Sequence, residues 1–189
     1  MKHIVLFASG SGSNAEKIMV HFQKSGLAKV VAIFSNKAEA GVLEKAKKYE
    51  IPTLVFSKEA LFEGKVSDEL KSFQPDLIVL AGFLLKFPQK IIENYPEKIV
   101  NIHPALLPKY GGKGMYGMNV HRAVLENKES ETGITIHYID EHYDEGDIIF
   151  QKSVPLNGKE TCEEIASKVR DLEHEYFPQI IEKLLRENS

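Results

Sequence analysis

The stretch HIVLFASGSGSNAEKIMVHF, residues 3–22, runs from an apolar segment through a Ser/Gly turn into an amphipathic pattern. The opening HIVLFA (3–8) lacks polar alternation, which is typical of a strand buried on both faces, as in a parallel sheet. Ala15, Ile18, Met19 and Phe22 follow at the i, i+3, i+4, i+7 spacing of one helix face. The stretch therefore predicts a strand–turn–helix unit.

The same unit recurs along the first half of the chain. The runs VVAIF (30–34) and DLIVLAG (76–82) repeat the buried-strand pattern. The apolar helix face is repeated by Val42, Leu43, Ala46 and Tyr49. Repeated βα units predict an open, Rossmann-like α/β sheet that is mostly parallel, with right-handed crossovers and helices on both faces.

The second half departs from this alternation. KIVNIH (98–103) is typical of a strand and VHRAVLEN (120–127) of a short helix. TGITIHYI (132–139) and DIIFQKSVPL (147–156) follow as two more strands. The short link between these two cannot hold a parallel crossover, so we expect a C-terminal antiparallel pair. The length favours a single domain over residues 1–189.

A long helix is predicted at the C-terminus. Thr161 and Glu164 have the T-x-x-E spacing of a capping box, which marks the start of a helix. Pro178 lies inside the helical pattern, so we expect it to kink the helix or split it in two. The longest predicted loop is the glycine-rich stretch 108–119.

Composition and charge favour a cytoplasmic protein. The 24 basic and 27 acidic residues give no reason to expect nucleic acid or a membrane as partner. No apolar run approaches the roughly 20 residues of a membrane-spanning helix, and the N-terminal run is shorter than a signal-peptide core. Cys162 is the single cysteine, which excludes an internal disulfide and fits a reducing compartment.

The turn SGSGSN, residues 9–14, is a candidate phosphate site. It follows a predicted strand and opens a helix, where free N–H groups and the helix dipole favour an anion. The spacing matches neither G-x-G-x-x-G nor the G-x-x-x-x-G-K-[ST] loop, which disfavours a dinucleotide or a nucleoside triphosphate. An ordinary connecting loop, with Ser13 and Glu16 as a capping box, explains the same residues equally well.

The end of the predicted strand KIVNIH (98–103) is a second candidate site. Asn101 and His103 lie two residues apart, so both side chains point to one face. An amide donor beside an imidazole suits the stabilisation of an oxyanion and the movement of a proton. A hydrogen-bonded, purely structural histidine remains the alternative. The spacing does not decide which carboxylate orients the imidazole among Asp140, Glu141, Asp144, Glu145 and Asp147.

Taken together, NIHPALLPKY, SGSGSN and DEHYDEGDII resemble the folate-dependent formyltransferases. The resemblance extends through FSNKAEA, LAGF, HRAVLEN, TGITIHYID and VRDLEHEYFP. The Ser/Gly/Asn loop and the length favour the branch of this family that formylates glycinamide ribonucleotide in purine biosynthesis. The implied reaction moves a formyl group from 10-formyltetrahydrofolate, a co-substrate, to the amine of 5'-phosphoribosylglycinamide, with no metal.

The resemblance also implies roles for individual residues. The family's catalytic trio corresponds to Asn101, His103 and Asp144. The segment that holds the acceptor substrate corresponds to Gly12, Ser13 and Asn14, joined by Glu173. Arg170 precedes Glu173 by three residues on the predicted helix, so both can face the substrate, with an exposed helical ion pair as the alternative. The two walls of the folate site correspond to Leu84, Leu85, Lys86, Phe87 and Asn101, and to Ile139, Asp140, Glu141, His142 and Tyr143. Residues 1–97 would then form a phosphate-binding half and residues 98–189 a catalytic half.

Several positions depart from the family pattern. Asn119 stands where a histidine often precedes the helix, and Leu85 replaces an arginine beside the folate. For the family's basic residue in the third helix region, Lys58 and Lys65 are candidates. The glycine-rich stretch 111–119 is longer than usual, and we expect it to act as a flap.

Two alternatives to this reading stay open. One keeps the formyl donor and changes the acceptor, for example to a nucleotide-linked amino sugar. The other is a non-catalytic module that binds a phosphosugar through SGSGSN alone, which leaves Asn101, His103 and Asp144 unexplained. Whichever acceptor receives the formyl group, we expect the substrates to be small molecules and the protein to be a monomer or a homodimer.

Overall fold

The computed structural model describes residues 1–142 and 144–187. Within these ranges, seven strands form one sheet in the order β3-β2-β1-β4-β5-β6-β7. The strands are β1 (Lys2–Phe7), β2 (Ala28–Ser35), β3 (Thr53–Val55), β4 (Leu77–Leu80), β5 (Ile99–His103), β6 (Glu131–Tyr138) and β7 (Ile148–Pro155). Strands β1 to β5 are parallel, whereas β6 and β7 are antiparallel to their neighbours, so the predicted sheet is confirmed.

Helices cover both faces of this sheet, as predicted. They are α1 (Ser13–Ser25), α2 (Gly41–Lys48), α3 (Lys58–Phe62), α4 (Lys65–Ser72), α5 (Gln89–Asn94), α6 (Met118–Glu126) and α7 (Cys162–Glu187). One core cluster joins the sheet to α1, α2 and α7, and a second joins the opposite face to α3, α4 and α5. No helix in the described ranges combines the length with the apolarity needed to cross a membrane.

Strand β1 shows why unbroken apolar runs occur in the sequence. Ile4 and Leu6 point into one core cluster, while Val5 and Phe7 point into the other. All four side chains are fully buried. Because successive residues of a strand face opposite sides, only a continuous apolar run fills both cores.

The order of the strands creates a crevice at one edge of the sheet. The chain leaves β1 towards β2 on one side, and β4 and β5 lie on the other side. This reversal between β1 and β4 is the position at which open α/β sheets bind ligands, beyond the carboxyl ends of the strands. Ser9 follows β1 there, and its N–H donates to the carbonyl of Gly82, just after β4, at 3.0 Å.

Helix α7 begins as predicted but is not split. The Glu164 N–H donates to Thr161 Oγ1 at 3.2 Å, and the Thr161 N–H donates to Glu164 Oε2 at 2.7 Å, which completes the capping box. The expected split at Pro178 is wrong, since the helix continues to Glu187. Phe177, Pro178 and Ile181 are buried, and this packing offsets the backbone hydrogen bond that proline cannot donate.

The capping box yields a prediction about stability. Thr161→Ala removes the acceptor for the Glu164 N–H and should lower the free energy of unfolding by about 1 kcal/mol. Urea denaturation followed by circular dichroism measures the change. Thr161→Ser keeps the hydroxyl and should stay close to wild type; an equal loss in both variants would contradict a capping role.

Candidate active site

A cavity of about 490 Å³ lies at the carboxyl ends of the central strands. It brings together most of the side chains that the sequence singled out. Its lining includes Asn14, Leu84, Leu85, Lys86, Phe87, Asn101, His103, Ile139, Asp140, His142, Asp144, Arg170 and Glu173. Gly12, Ser13 and Glu141 do not line it, and Tyr143 lies outside the described residues.

The turn into α1 leaves the helix N-terminus uncapped by side chains of the described residues. Gly12 is the N-cap and has a left-handed φ of 72°. Ser13 is already helical, and the Glu16 N–H donates to the Gly12 carbonyl. The Ser13–Glu16 capping box is therefore wrong, because the Glu16 carboxylate accepts a hydrogen bond from Lys45 instead. The first-turn N–H groups thus remain for an anion.

Close packing requires a glycine at position 12. A Cβ there would lie 2.5 Å from Val42 Cγ2, at the start of α2. The Val42 N–H also donates to the carbonyl of Gly10 at 3.1 Å, which holds the turn against α2. Any side chain at position 12 would both clash and adopt an unfavourable φ.

Asn14 and Glu173 connect the first helix to the last. Asn14 Nδ2 donates to Glu173 Oε2 at 2.9 Å. Burial raises the pKa of Glu173, against the hydrogen bond from Asn14 and the positive charge of Arg170. Asn14 Oδ1 is buried without a hydrogen-bond partner among the described residues. This end of the cavity therefore presents polar atoms to a ligand with hydroxyl or amide groups.

Asn101 is oriented by a histidine that sequence analysis missed. Asn101 lies opposite His137 in the β5–β6 pair, and its Nδ2 is 3.1 Å from His137 Nε2. His137 Nδ1 lies 2.8 Å from the Tyr138 carbonyl, so it is Nδ1 that carries the proton and Nε2 that accepts from Asn101. Burial lowers the pKa of His137 and favours this neutral form. The second N–H of the Asn101 amide is left to a ligand.

Among the candidate carboxylates, the structure brings Asp144 to the histidine of β5. Asp144 Oδ2 lies 3.6 Å from His103 Nδ1, and Asp144 Oδ1 lies 3.7 Å from His137 Nε2. The Gly112 N–H donates to Asp144 Oδ2 at 2.9 Å. His103 Nε2 donates to the Tyr110 carbonyl at 2.7 Å. The carboxylate is thus placed to stabilise positive charge on the imidazole of His103.

His121 is a second histidine that sequence analysis did not single out. It lies on α6 in the cavity wall and is buried. Its Nδ1 has no hydrogen-bond partner among the described residues. Burial, reinforced by Arg170 and His103, lowers its pKa to about 4. A buried residue in a short helix carries no sequence signal beyond helical spacing, so only packing reveals it.

The opposite wall of the cavity is largely apolar. Residues 84–87 line it, with Leu84 exposed and Phe87 buried edge-on against Phe7. Ile139, Asp140 and His142 form the second side of this wall, and Asp140 Oδ1 accepts from the His142 N–H at 2.8 Å. Such a slot suits a flat heterocycle. No group of three or more His, Cys, Asp or Glu side chains in the described ranges is arranged to hold a metal ion.

Comparison with known proteins identifies the class. Residues 2–181 match the family described as formyl transferase, and the chain belongs to that family. A phosphoribosylglycinamide formyltransferase from Bacillus subtilis is 34% identical, and the match covers 100% of this chain and 97% of the relative. The crystal structure of phosphoribosylglycinamide formyltransferase from Anaplasma phagocytophilum has a TM-score of 0.90 at 32% identity, covering 98% of this chain and 88% of that one.

Plant relatives are longer than this chain. The chloroplastic phosphoribosylglycinamide formyltransferase of Vigna unguiculata is 38% identical over 98% of this chain. The chain spans 62% of the length of that relative.

His121 predicts how stability depends on pH. Its pKa is about 4 in the folded protein and about 6.5 in an unfolded chain. Between these values the unfolded chain binds a proton that the folded protein lacks, so the free energy of unfolding falls as the pH drops. His121 contributes up to about 3 kcal/mol to this fall, at about 1.4 kcal/mol for each pKa unit.

Urea denaturation at pH 7.5 and 4.5 measures the effect. His121→Gln should flatten the pH dependence relative to wild type. His142→Gln, at an exposed position of the same cavity, serves as the control and should retain the wild-type dependence. An unchanged pH dependence in His121→Gln would contradict the assignment.

Proposed function

We propose that the protein transfers a formyl group from 10-formyltetrahydrofolate to the amine of 5'-phosphoribosylglycinamide. The products are formylglycinamide ribonucleotide and tetrahydrofolate, in purine biosynthesis. The observation that carries the proposal is the meeting of Asn101, His103 and Asp144 in one cavity wall, next to an uncapped helix N-terminus. The names of the relatives support this choice of acceptor.

The acceptor substrate occupies the end of the cavity nearest α1. Its phosphate lies at the N–H groups of Gly12, Ser13 and Asn14, where the helix dipole favours negative charge. Glu173 and Asn14 hydrogen-bond the sugar or the glycinamide, and exposed Arg170 adds positive charge near the phosphate. Residues 1–97 hold the phosphate, and residues 98–189 supply most of the reacting groups.

The donor occupies the apolar slot. The residues present fit a folate, because residues 84–87 form one side of a slot beside Asn101, and Ile139, Asp140 and His142 form the other. When bound, the folate supplies the formyl carbon that the amine attacks. Lys86 is exposed at the rim, where a lysine suits the negatively charged tail of a folate.

Asn101 and His103 stabilise the oxyanion that develops on the formyl oxygen. Asn101 lines the cavity, and the amide N–H that His137 does not accept serves as a preorganised donor. His103 adds a positive charge, which the Tyr110 carbonyl and the Asp144 carboxylate stabilise from two sides. One such donor is worth roughly 3–4 kcal/mol of transition-state stabilisation.

Asp144 and His103 also assist the transfer of the amine proton. The amine forms a bond to the formyl carbon, the bond from that carbon to the folate nitrogen breaks, and one proton passes from the amine to the departing nitrogen. Asp144 lies between the two histidines and is placed to relay this proton, directly or through water.

The single cysteine supports a cytoplasmic location for the enzyme. We infer a monomer or homodimer that acts on small molecules, with the glycine-rich stretch 111–119 as a flap over the cavity. Gly112, Gly114 and Gly117 in that stretch have positive φ.

Incubation with both substrates, followed by detection of tetrahydrofolate, tests the proposed formyl transfer. Binding without turnover would favour a phosphosugar-binding module, and turnover only with an amino-sugar nucleotide would change the acceptor.

The oxyanion role of Asn101 leads to one prediction. Asn101→Ala should lower kcat by about 10²- to 10³-fold, because one preorganised donor is lost. Asn127→Ala removes an amide at the exposed end of α6 and should leave kcat unchanged. Steady-state kinetics measures kcat of both variants, and circular dichroism checks that both are folded. Equal kcat values in the two variants would contradict the oxyanion role of Asn101.

A second prediction concerns the phosphate turn. Gly12→Ala should raise KM for the acceptor by about tenfold, equivalent to about 1.4 kcal/mol, and leave KM for the donor nearly unchanged. The reason is that the clash with Val42 displaces the first-turn N–H groups. Gly10→Ala is the matched control, since a Cβ at position 10 meets no atom within 4 Å. The same rise in KM for both substrates would contradict the placement of the phosphate.

A further inference from the structure

The short segment 109–112 contacts both members of the His103–Asp144 pair through its backbone. The Tyr110 carbonyl accepts from His103 Nε2 at 2.7 Å. Two residues on, the Gly112 N–H donates to Asp144 Oδ2 at 2.9 Å. The position of this segment therefore sets where the imidazole and the carboxylate lie relative to each other.

This segment needs support from outside the cavity. It belongs to no helix or strand, and Tyr110 has a left-handed φ of 58°. That conformation costs a residue with a side chain roughly 1–2 kcal/mol. The strained position persists only if other contacts hold Tyr110 in place.

Glu129 supplies those contacts from the turn after α6. The Tyr110 hydroxyl donates to Glu129 Oε1 at 2.7 Å. Lys109 Nζ donates to both carboxylate oxygens of Glu129, at 2.9 and 3.2 Å. The side chain of Glu129 is 22% exposed, and Glu129 is not among the residues that line the cavity.

The protonation states of the Tyr110 hydroxyl and the Glu129 carboxyl favour their hydrogen bond. Burial and the hydrogen bond to Glu129 raise the pKa of Tyr110 to about 12, so the hydroxyl stays protonated and donates. Hydrogen bonds from Lys109 and Tyr110 lower the pKa of Glu129, so its carboxylate stays charged and accepts. The contact therefore persists across the pH range in which enzymes of this kind work.

We propose that Glu129 and the Tyr110 hydroxyl form an anchor that positions the His103–Asp144 pair. Glu129 is a positioning residue that acts through Tyr110 and does not touch substrate. The inference rests on the proposed formyl transfer, because it assigns a kinetic consequence to the anchor.

The anchor acts on the proton of His103 Nε2. With Tyr110 in place, this buried N–H has a carbonyl acceptor, and Nδ1 faces Asp144. If the segment shifts, the N–H loses its acceptor and the ring is free to turn away from Asp144. The loss should therefore appear in turnover, whereas substrate affinity depends on other residues.

Two disruptive variants and one conservative variant test the anchor. Tyr110→Phe and Glu129→Ala should each lower kcat by about 10- to 50-fold, with KM for both substrates within about twofold of wild type. The double variant should have a kcat only slightly below that of the less active single variant, because both changes break the same Tyr110–Glu129 hydrogen bond. Glu129→Gln still accepts from the Tyr110 hydroxyl and should recover most of the turnover.

Matched controls separate this effect from general destabilisation. Glu126→Ala removes an exposed carboxylate at the end of α6, and Tyr95→Phe removes the hydroxyl of the residue that ends α5 and packs against the core cluster of α3, α4 and α5. Both should keep the wild-type kcat. All rates are measured well below the melting temperature of the least stable variant, and Tyr110→Phe conserves volume so that folding is preserved.

A second measurement does not depend on activity. In protein with 15N-labelled histidine, the His103 Nε2–H should give a slowly exchanging NMR signal, assigned by its absence in His103→Asn. The signal should broaden or exchange faster in Tyr110→Phe and Glu129→Ala, and persist in the controls. If wild type lacks formyl transfer but the signal responds, the proposed function fails and the anchor stands. If wild type is active and neither kcat nor the signal changes in the variants, the anchor is overturned.

Discussion

In the antiparallel pairing of β5 with β6, Asn101 lies opposite His137 and His103 lies opposite Thr135. This register brings the amide of Asn101 to the imidazole of His137, and it starts the return of the chain that delivers Asp144. A slip of one residue would turn these side chains to the other face of the sheet. The change from parallel to antiparallel pairing at β5 is therefore what assembles the candidate site.

Thr135 shows how the same register secures the chain beyond β5. Its fully buried hydroxyl donates to the Ala105 carbonyl at 2.7 Å and accepts from the Leu107 N–H at 3.0 Å. Gln151, on the neighbouring strand β7, donates to both Thr135 Oγ1 and the Leu107 carbonyl at 2.9 Å. A satisfied network around a buried hydroxyl is rigid, which suits a site that must hold its donors in place before substrate arrives.

Ser9 connects the two ends of the cavity. Its N–H donates to the Gly82 carbonyl, and its hydroxyl accepts from the Leu84 N–H, each at 3.0 Å. The hydroxyl also donates to Asn36 Oδ1 at 2.6 Å. The phosphate turn after β1 and the apolar wall after β4 are thus held to each other at the point where the strand order reverses.

The sequence by itself determined six of the seven described strands, the antiparallel pair and the capping box of Thr161, because these depend on local periodicity and spacing. It also placed Asn101 and His103 on one face, since alternation along a strand needs no partner. It missed β3, a three-residue strand whose side chains are exposed or half-buried and which has no long apolar run. Spacing left the carboxylate open and only the family resemblance pointed to Asp144. The approach of Asp144 to His103, the contribution of His137 and the uncapped turn at Gly12 depended on tertiary structure. Each of these features depends on contacts between residues that are distant in sequence. The β5–β6 register brings His137 to Asn101, and α2 brings Val42 against Gly12. A local sequence pattern contains no information about such contacts.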